Sequence, residues 1–332
     1  MSRIAILGAG AWGTALAISL ARRGGHQVVL WSHSPLLAEQ LADVGENLPY
    51  LPGFTLPADI YVTPDLPAAI FEADILVSVT PSQHLRETIA HIAPLLTRDQ
   101  IIVVASKGLE EKSHLRMSQV IASITSNPCA TLSGPSFAQE VAAGIPTAVV
   151  AAATSPILTT VIQRDFTSPS LRVYTNDDIA GVELGGALKN VIALAAGVVH
   201  GLNLGHNSGA ALITRGIAEI TRLAVACGGR RQTLAGLSGI GDLVLTCTGS
   251  LSRNRLVGIE LGRGRHLPEI LAGMHGKVAE GVRCTTGALG LAARYGVEMP
   301  ITEQMSAILH RNKPPRDAIR ELMSRPGRDE DS

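Results

Sequence analysis

Short apolar blocks alternate with amphipathic stretches through the first 178 residues, and beyond them the alternation stops. Residues 4–7 are four consecutive apolar positions, which suits a strand covered on both faces. An alanine-rich helical pattern follows and ends at Gly24-Gly25. Further strands are predicted at 27–31, 60–62, 73–79, 101–105, 130–132, 147–151 and 171–174. Between them, helical patterns open at Ser34-Pro35 and run over 64–71, 82–96, 114–124 and 156–166. The segment 47–57 holds three prolines and a glycine and reads as a surface loop. This is the signature of an α/β chain built on an open, doubly wound parallel sheet. From Ile179 onward nearly every segment reads as helix: 180–199, 207–227, 253–263, 267–272, 285–295 and 302–309. The predicted division is therefore a sheet domain over 1–178, an all-α domain over 179–325 and a flexible polar tail over 326–332.

Composition agrees with two ordinary cores. Of 332 residues, 46% are hydrophobic and only 3% aromatic, so those cores are built from Ala, Val, Ile and Leu. Net charge is zero and no basic run occurs, which argues against nucleic acid as a partner. The cysteines Cys129, Cys227, Cys247 and Cys284 are widely spaced, as in a cytosolic protein with reduced thiols. A strand and a glycine turn stand where a secretory signal would lie. The most apolar windows, 145–162 and 191–199, are broken by prolines or flanked by polar residues, short of the ~20 apolar positions of a spanning helix. The expectation is a soluble, cytoplasmic chain without stable membrane insertion.

The first strand runs into Gly8, Gly10 and Gly13, and a helix follows. In that context the spacing fits a dinucleotide: a tight turn, backbone close to a pyrophosphate, and a helix packed against the strand. An NAD-binding sheet places an acidic residue at the end of its second strand to hold the ribose 2′-OH. Here Trp31-Ser32-His33-Ser34 has none, so NADP(H) is expected over NAD(H), with Ser32 and His33 available to a 2′-phosphate. Ser34 equally suits a plain helix cap.

Three polar segments interrupt apolar surroundings. Lys107 follows the strand at 101–105, where ligands of such sheets bind; as a lone lysine it also fits a solvated surface. Lys189 and Asn190 break an otherwise apolar helix containing Gly185 and Gly186. A lysine there needs an anion, whether a substrate or a structural partner such as Glu183 or Asp242. Gly239 and Gly241 precede Asp242, and Ser252-Arg253-Asn254 opens a helix with donors suited to phosphate, or simply caps it. No HExxH, GxSxG or Walker pattern occurs, and no metal is assigned.

Taken in order, eight segments resemble the bacterial NAD(P)-dependent glycerol-3-phosphate dehydrogenases: Gly8–Ala17, Ser106–Leu109, Leu132–Ala138, Gly185–Val191, Ile213–Gly216, Gly239–Leu243, Ser252–Arg255 and Val278–Gly281. The resemblance implies a Rossmann-type domain followed by a helical one. It also implies reduction of dihydroxyacetone phosphate to sn-glycerol 3-phosphate for phospholipid synthesis, and a homodimer. Beside the glycines, it implies that Trp12, His33, Lys107, Ala138, Arg253, Val278 and Glu280 border the dinucleotide. Lys107, Gly134, Ser136, Lys189, Asp242, Ser252, Arg253 and Asn254 would border the substrate. Lys189 would accept the proton in the oxidation direction, with Lys107 as second cation and Asp242 balancing the pair. Ala11 stands where many relatives carry serine, and Ser32-His33 where others carry arginine. Two rival readings stay open: a hydroxyacid or ketopantoate dehydrogenase of the same architecture, and a cofactor-sensing protein without catalysis.

Overall fold

The computed structural model describes residues 1–274, 279–327 and 329. Ten strands occur among them: β1 Ser2–Leu7, β2 His26–Trp31, β3 Glu46–Asn47, β4 Leu51–Thr55, β5 Ile60–Thr63, β6 Ile75–Ser78, β7 Ile101–Val104, β8 Cys129–Ser133, β9 Thr147–Ala152 and β10 Leu171–Asn176. Eight of them form one sheet in the order β10-β9-β8-β7-β6-β1-β2-β5. Because side chains alternate across a strand, β1 feeds two cores at once. Ile4 and Ile6 join the cluster on one face, Ala5 and Leu7 the cluster on the other.

The sheet departs from the expected all-parallel form at one pair. β8 and β9 run antiparallel, because the connection 134–146 holds only the short helix Ala138–Ala142 and turns the chain straight back. A second correction concerns 47–57, which is not plain loop: β3 and β4 pair there as an antiparallel hairpin with a register shift at Glu46/Asn47. The helical pattern at 114–124 shrinks to Met117–Ala122, since His114 sits at φ 59°, a left-handed conformation outside any α-helix.

Four neighbouring parallel strands, β1, β6, β7 and β8, end on the same edge of the sheet. Their outgoing loops carry Gly8, Thr80–Ser82, Ser106-Lys107 and Gly134, side by side. Against this edge lies the helix Ile179–Gly201, capped by Asp178, whose Oδ1 accepts from Gly181 N at 2.8 Å. Every residue from Gly181 to Val198 is buried. The helix is 23 residues long and its most apolar stretch has mean hydropathy 1.5, long and apolar enough to cross a membrane, but 94% of that stretch is buried inside the protein. The helix expected over 180–199 thus forms, and its apolar stretch continues through Lys189 instead of being confined to 191–199.

Small residues explain how a helix can be enclosed so fully. Gly197 and Gly201 face Gly258 and Gly262 of the helix Arg253–Gly262, and a Cβ at any of the four would overlap the opposing backbone. The expected burden of glycine within a helix is offset by this close approach.

Candidate active site

The glycine turn has the geometry its spacing predicts. Gly8 leaves β1 at φ +129°, its N–H donating to Trp31 O at 3.1 Å, and a Cβ there would press on the Val79 backbone at 3.1 Å. A Cβ on Gly13 would overlap the Gly8 carbonyl oxygen, whereas Gly10, the N-cap of the helix Ala11–Arg23, faces open space. Trp12 packs on the same apolar cluster as Ala138, and its Nε1–H is buried without a partner among the described residues. A buried donor with nothing to donate to is costly unless a ligand supplies the acceptor. At the end of β2, Ser32 is buried and donates to Ser34 O at 3.0 Å, while Ser34 caps the helix Pro35–Val44. His33 is exposed and meets the Trp31 ring edge-on at 5.9 Å. The unpartnered indole N–H and the open glycine turn fit a dinucleotide.

The second constellation joins the sheet to the helices. Lys107 Nζ lies 2.6 Å from Asp242 Oδ2, and Lys189 Nζ lies 2.6 Å from Asp242 Oδ1. Asp242 is delivered by a π-helical turn over Leu237–Gly241, a local widening of the kind often found at functional sites. Its side chain is 1% exposed, that of Lys189 8% and that of Lys107 20%. Lys107 also donates to Gly134 O at 2.9 Å, and Ser136 Oγ donates to the same carbonyl at 3.1 Å. Thr246, one turn after Asp242, accepts from Lys189 Nζ at 2.7 Å and donates to Asp242 O at 2.6 Å.

Electrostatics follow from burial and charge count. Burial alone pushes the Asp242 carboxyl up, but the two ammonium groups outweigh it and hold the carboxyl below the ordinary range. Burial is also the largest influence on Lys189; with repulsion from Lys107 it outweighs the attraction of Asp242 and brings the ammonium down to about 8. Two cations share one carboxylate, so with both lysines protonated the trio carries one surplus positive charge.

A third group lines the helical side. Asn254 Nδ2 donates to Asn190 Oδ1 at 3.0 Å, and Asn254 Oδ1 accepts from Gly281 N at 2.9 Å, tying three helices together. Ser252 is buried and caps its helix by accepting from Arg255 N at 3.2 Å. Arg253, the first residue of that helix, is exposed. Glu280 accepts from Ser82 Oγ at 3.0 Å across 198 residues of sequence, which joins the loop after β6 to the helix Glu280–Tyr295. Val278 lies outside the described residues.

Lys107, Lys189, Asp242, Gly134 and Ser136 thus form one connected set, and Asn254 belongs to a second set that begins next to Lys189, at Asn190. No direct hydrogen bond links Trp12 or His33 to either set among the described residues. Thr246 and Ser82 were not foreseen; the i, i+4 spacing of Thr246 from Asp242 was the available signal.

Comparison with known proteins agrees along the whole chain. Residues 3–158 match the sequence model of the NAD-dependent glycerol-3-phosphate dehydrogenase N-terminus, and 178–320 that of its C-terminus. A glycerol-3-phosphate dehydrogenase (NAD(P)+) from Acidobacterium capsulatum is 59% identical, covering 99% of this chain and all of the relative. One from Koribacter versatilis is 56% identical over 98% of both. The crystal structure of glycerol-3-phosphate dehydrogenase from Coxiella burnetii superposes with a TM-score of 0.94 at 41% identity, covering 98% of this chain and 99% of that one.

Proposed function

The chain belongs to the NAD-dependent glycerol-3-phosphate dehydrogenase family, and from that premise we propose which of its residues carry the reaction. It is an NAD(P)-dependent oxidoreductase that reduces dihydroxyacetone phosphate to glycerol 3-phosphate. The observation that carries the residue assignment is the pair of ammonium groups, one from each half of the chain, sharing the carboxylate of Asp242.

When bound, the reduced nicotinamide supplies the hydride that adds to C2 of the substrate. As negative charge grows on the C2 oxygen, Lys189 donates its proton there and Lys107 supplies the second positive charge. Asp242 fixes both lysines in place, and Thr246 sets the direction of the Lys189 ammonium. Gly134 and Ser136 line the approach from the sheet side. Arg253, Asn254 and the Ser252-capped turn hold the phosphate, since arginine binds phosphate bidentately and a fixed phosphate orients the carbonyl.

For the cofactor, both NAD and NADP serve enzymes of this name. The preference we propose is NADP(H), supported by the absence of a carboxylate over 31–34 and by the exposed His33 ring beyond β2. Gly8, Gly10, Gly13, Trp12, Ala138 and Glu280 complete its contacts. The division we adopt is a cofactor half over 1–178 and a substrate half over 179–325, supported by the last strand ending at Asn176 and the long helix beginning at Ile179. A homodimer in the cytoplasm, feeding phospholipid synthesis, completes the reading.

The test is the rate of NADPH and of NADH oxidation with dihydroxyacetone phosphate, with phosphate-free dihydroxyacetone as control. We expect turnover with both cofactors, a higher kcat/KM for NADPH, and a large loss of kcat/KM without the phosphate. A strong preference for NADH would overturn the cofactor assignment. Equal rates with dihydroxyacetone would overturn the phosphate site.

A further inference from the structure

Behind Lys107, where the end of β8 meets the long helix, lies a cavity of about 10 Å³ bordered by Ser106, Lys107, Gly108, Thr131, Ser133 and Glu183. That volume matches a single water, which also needs two or more polar partners. Two of the bordering hydroxyls are already committed to backbone carbonyls. Ser106 Oγ donates to Thr80 O at 2.5 Å, and Thr131 Oγ1 donates to Val104 O at 3.3 Å. Ser133 is different: it is 4% exposed, and its Oγ has no partner among the described residues.

Glu183 offers the matching acceptor. Its Oε2 takes hydrogen bonds from Arg116 Nη1 and Ser118 Oγ, both at 2.6 Å, whereas among the described residues its Oε1 takes only Ser118 N, at 2.8 Å. A carboxylate oxygen has room for a second donor. Ser133 and Lys107 also stand on the same spot of the helix. A Cβ on Gly186 would lie 2.5 Å from Ser133 Oγ and 3.7 Å from Lys107 Cδ. The serine hydroxyl therefore occupies the space that this glycine leaves free, and the lysine stem packs beside it.

We infer that this cavity binds one water molecule, which accepts from Ser133 Oγ and donates to Glu183 Oε1, and that Ser133 is thereby a positioning residue for Lys107. The bridge ties the end of β8 to the Glu183–Arg116 ion pair at the point where Lys107 crosses from the sheet to reach Asp242. With it in place, the floor beneath the Lys107 stem is rigid. The inference rests on the reading of Lys107 as the second cation of the reaction.

The experiment combines a crystal structure of the wild-type protein, refined with ordered waters, and the kinetics of Ser133→Ala. The expected result is a water within hydrogen-bonding distance of both Ser133 Oγ and Glu183 Oε1. In Ser133→Ala, kcat for dihydroxyacetone phosphate falls about fivefold, the effect of one net hydrogen bond. KM stays unchanged because the phosphate contacts are untouched, and Ser133→Cys, keeping a weak donor, recovers part of the loss. A purely structural serine would lower the melting temperature without this separation of kcat from KM. A Ser133 hydroxyl bonded to a protein carbonyl, with no water between, overturns the inference even if Ser133→Ala fails to fold. Wild-type kcat in a folded Ser133→Ala overturns the positioning role. Lys107→Met with undiminished kcat would remove the underlying reading instead, a separate outcome.

Discussion

Lys189→Ala is expected to lose kcat by ~10²–10⁴-fold while keeping its fold, the range over which a positioned general acid contributes. The loss follows from where the ammonium sits. It is buried, aimed by Asp242 and Thr246, and brought down to about 8, near enough to neutral for a group to both give and take a proton. Removing it leaves the Lys107–Asp242 pair intact and neutral overall, so no buried charge is stranded. Circular dichroism and the melting temperature should stay near those of the wild type while turnover collapses. Near-normal turnover in the folded variant would move the proton donor elsewhere.

Asp242→Asn should damage both stability and activity. The carboxylate is the shared partner of two ammonium groups, and removing one member of a buried charge set costs roughly 3–5 kcal/mol. Urea denaturation should show a loss of that order. The effect on Lys189 has a definite sign. Without the attraction of Asp242, burial and repulsion from Lys107 lose their main opposition, so its ammonium loses its proton at lower pH than in the wild type. Reduction of dihydroxyacetone phosphate at neutral pH should therefore be slow and recover partly on acidification. An Asn variant as stable and as active as the wild type would show that Asp242 holds nothing together.

Much of the frame is legible in the order of apolar and polar residues. The buried part of β1, residues 4–7, is a run with no polar residue, and the glycine turn that follows has a local meaning set by backbone sterics. The antiparallel turn of β9 was not legible, because apolar runs like 147–151 do not encode direction; the length of the connection does. The hairpin at β3 and β4 was hidden by Pro49, Pro52 and Gly53, residues that also mark loops. Lys189 stood out from its apolar helix, and Asp242 was among its foreseeable partners. That both lysines share it depends on tertiary packing: the Lys107 stem passes the long helix beside Gly186 to reach Asp242. Ser133 lies within the segment Leu132–Ala138 but nothing there singled it out, since an unpartnered hydroxyl is visible only once its neighbours are in place.

The most direct test of Lys189 as proton carrier is the pH dependence of kcat measured in both directions on the same protein. Reduction requires the ammonium, so its rate should fall as pH rises through about 8; oxidation of glycerol 3-phosphate requires the free amine, so its rate should rise over the same interval. Mirror-image limbs near that pH, both lost in Lys189→Ala, are the predicted result. Limbs that move in the same direction, or that persist unchanged in the variant, would contradict it.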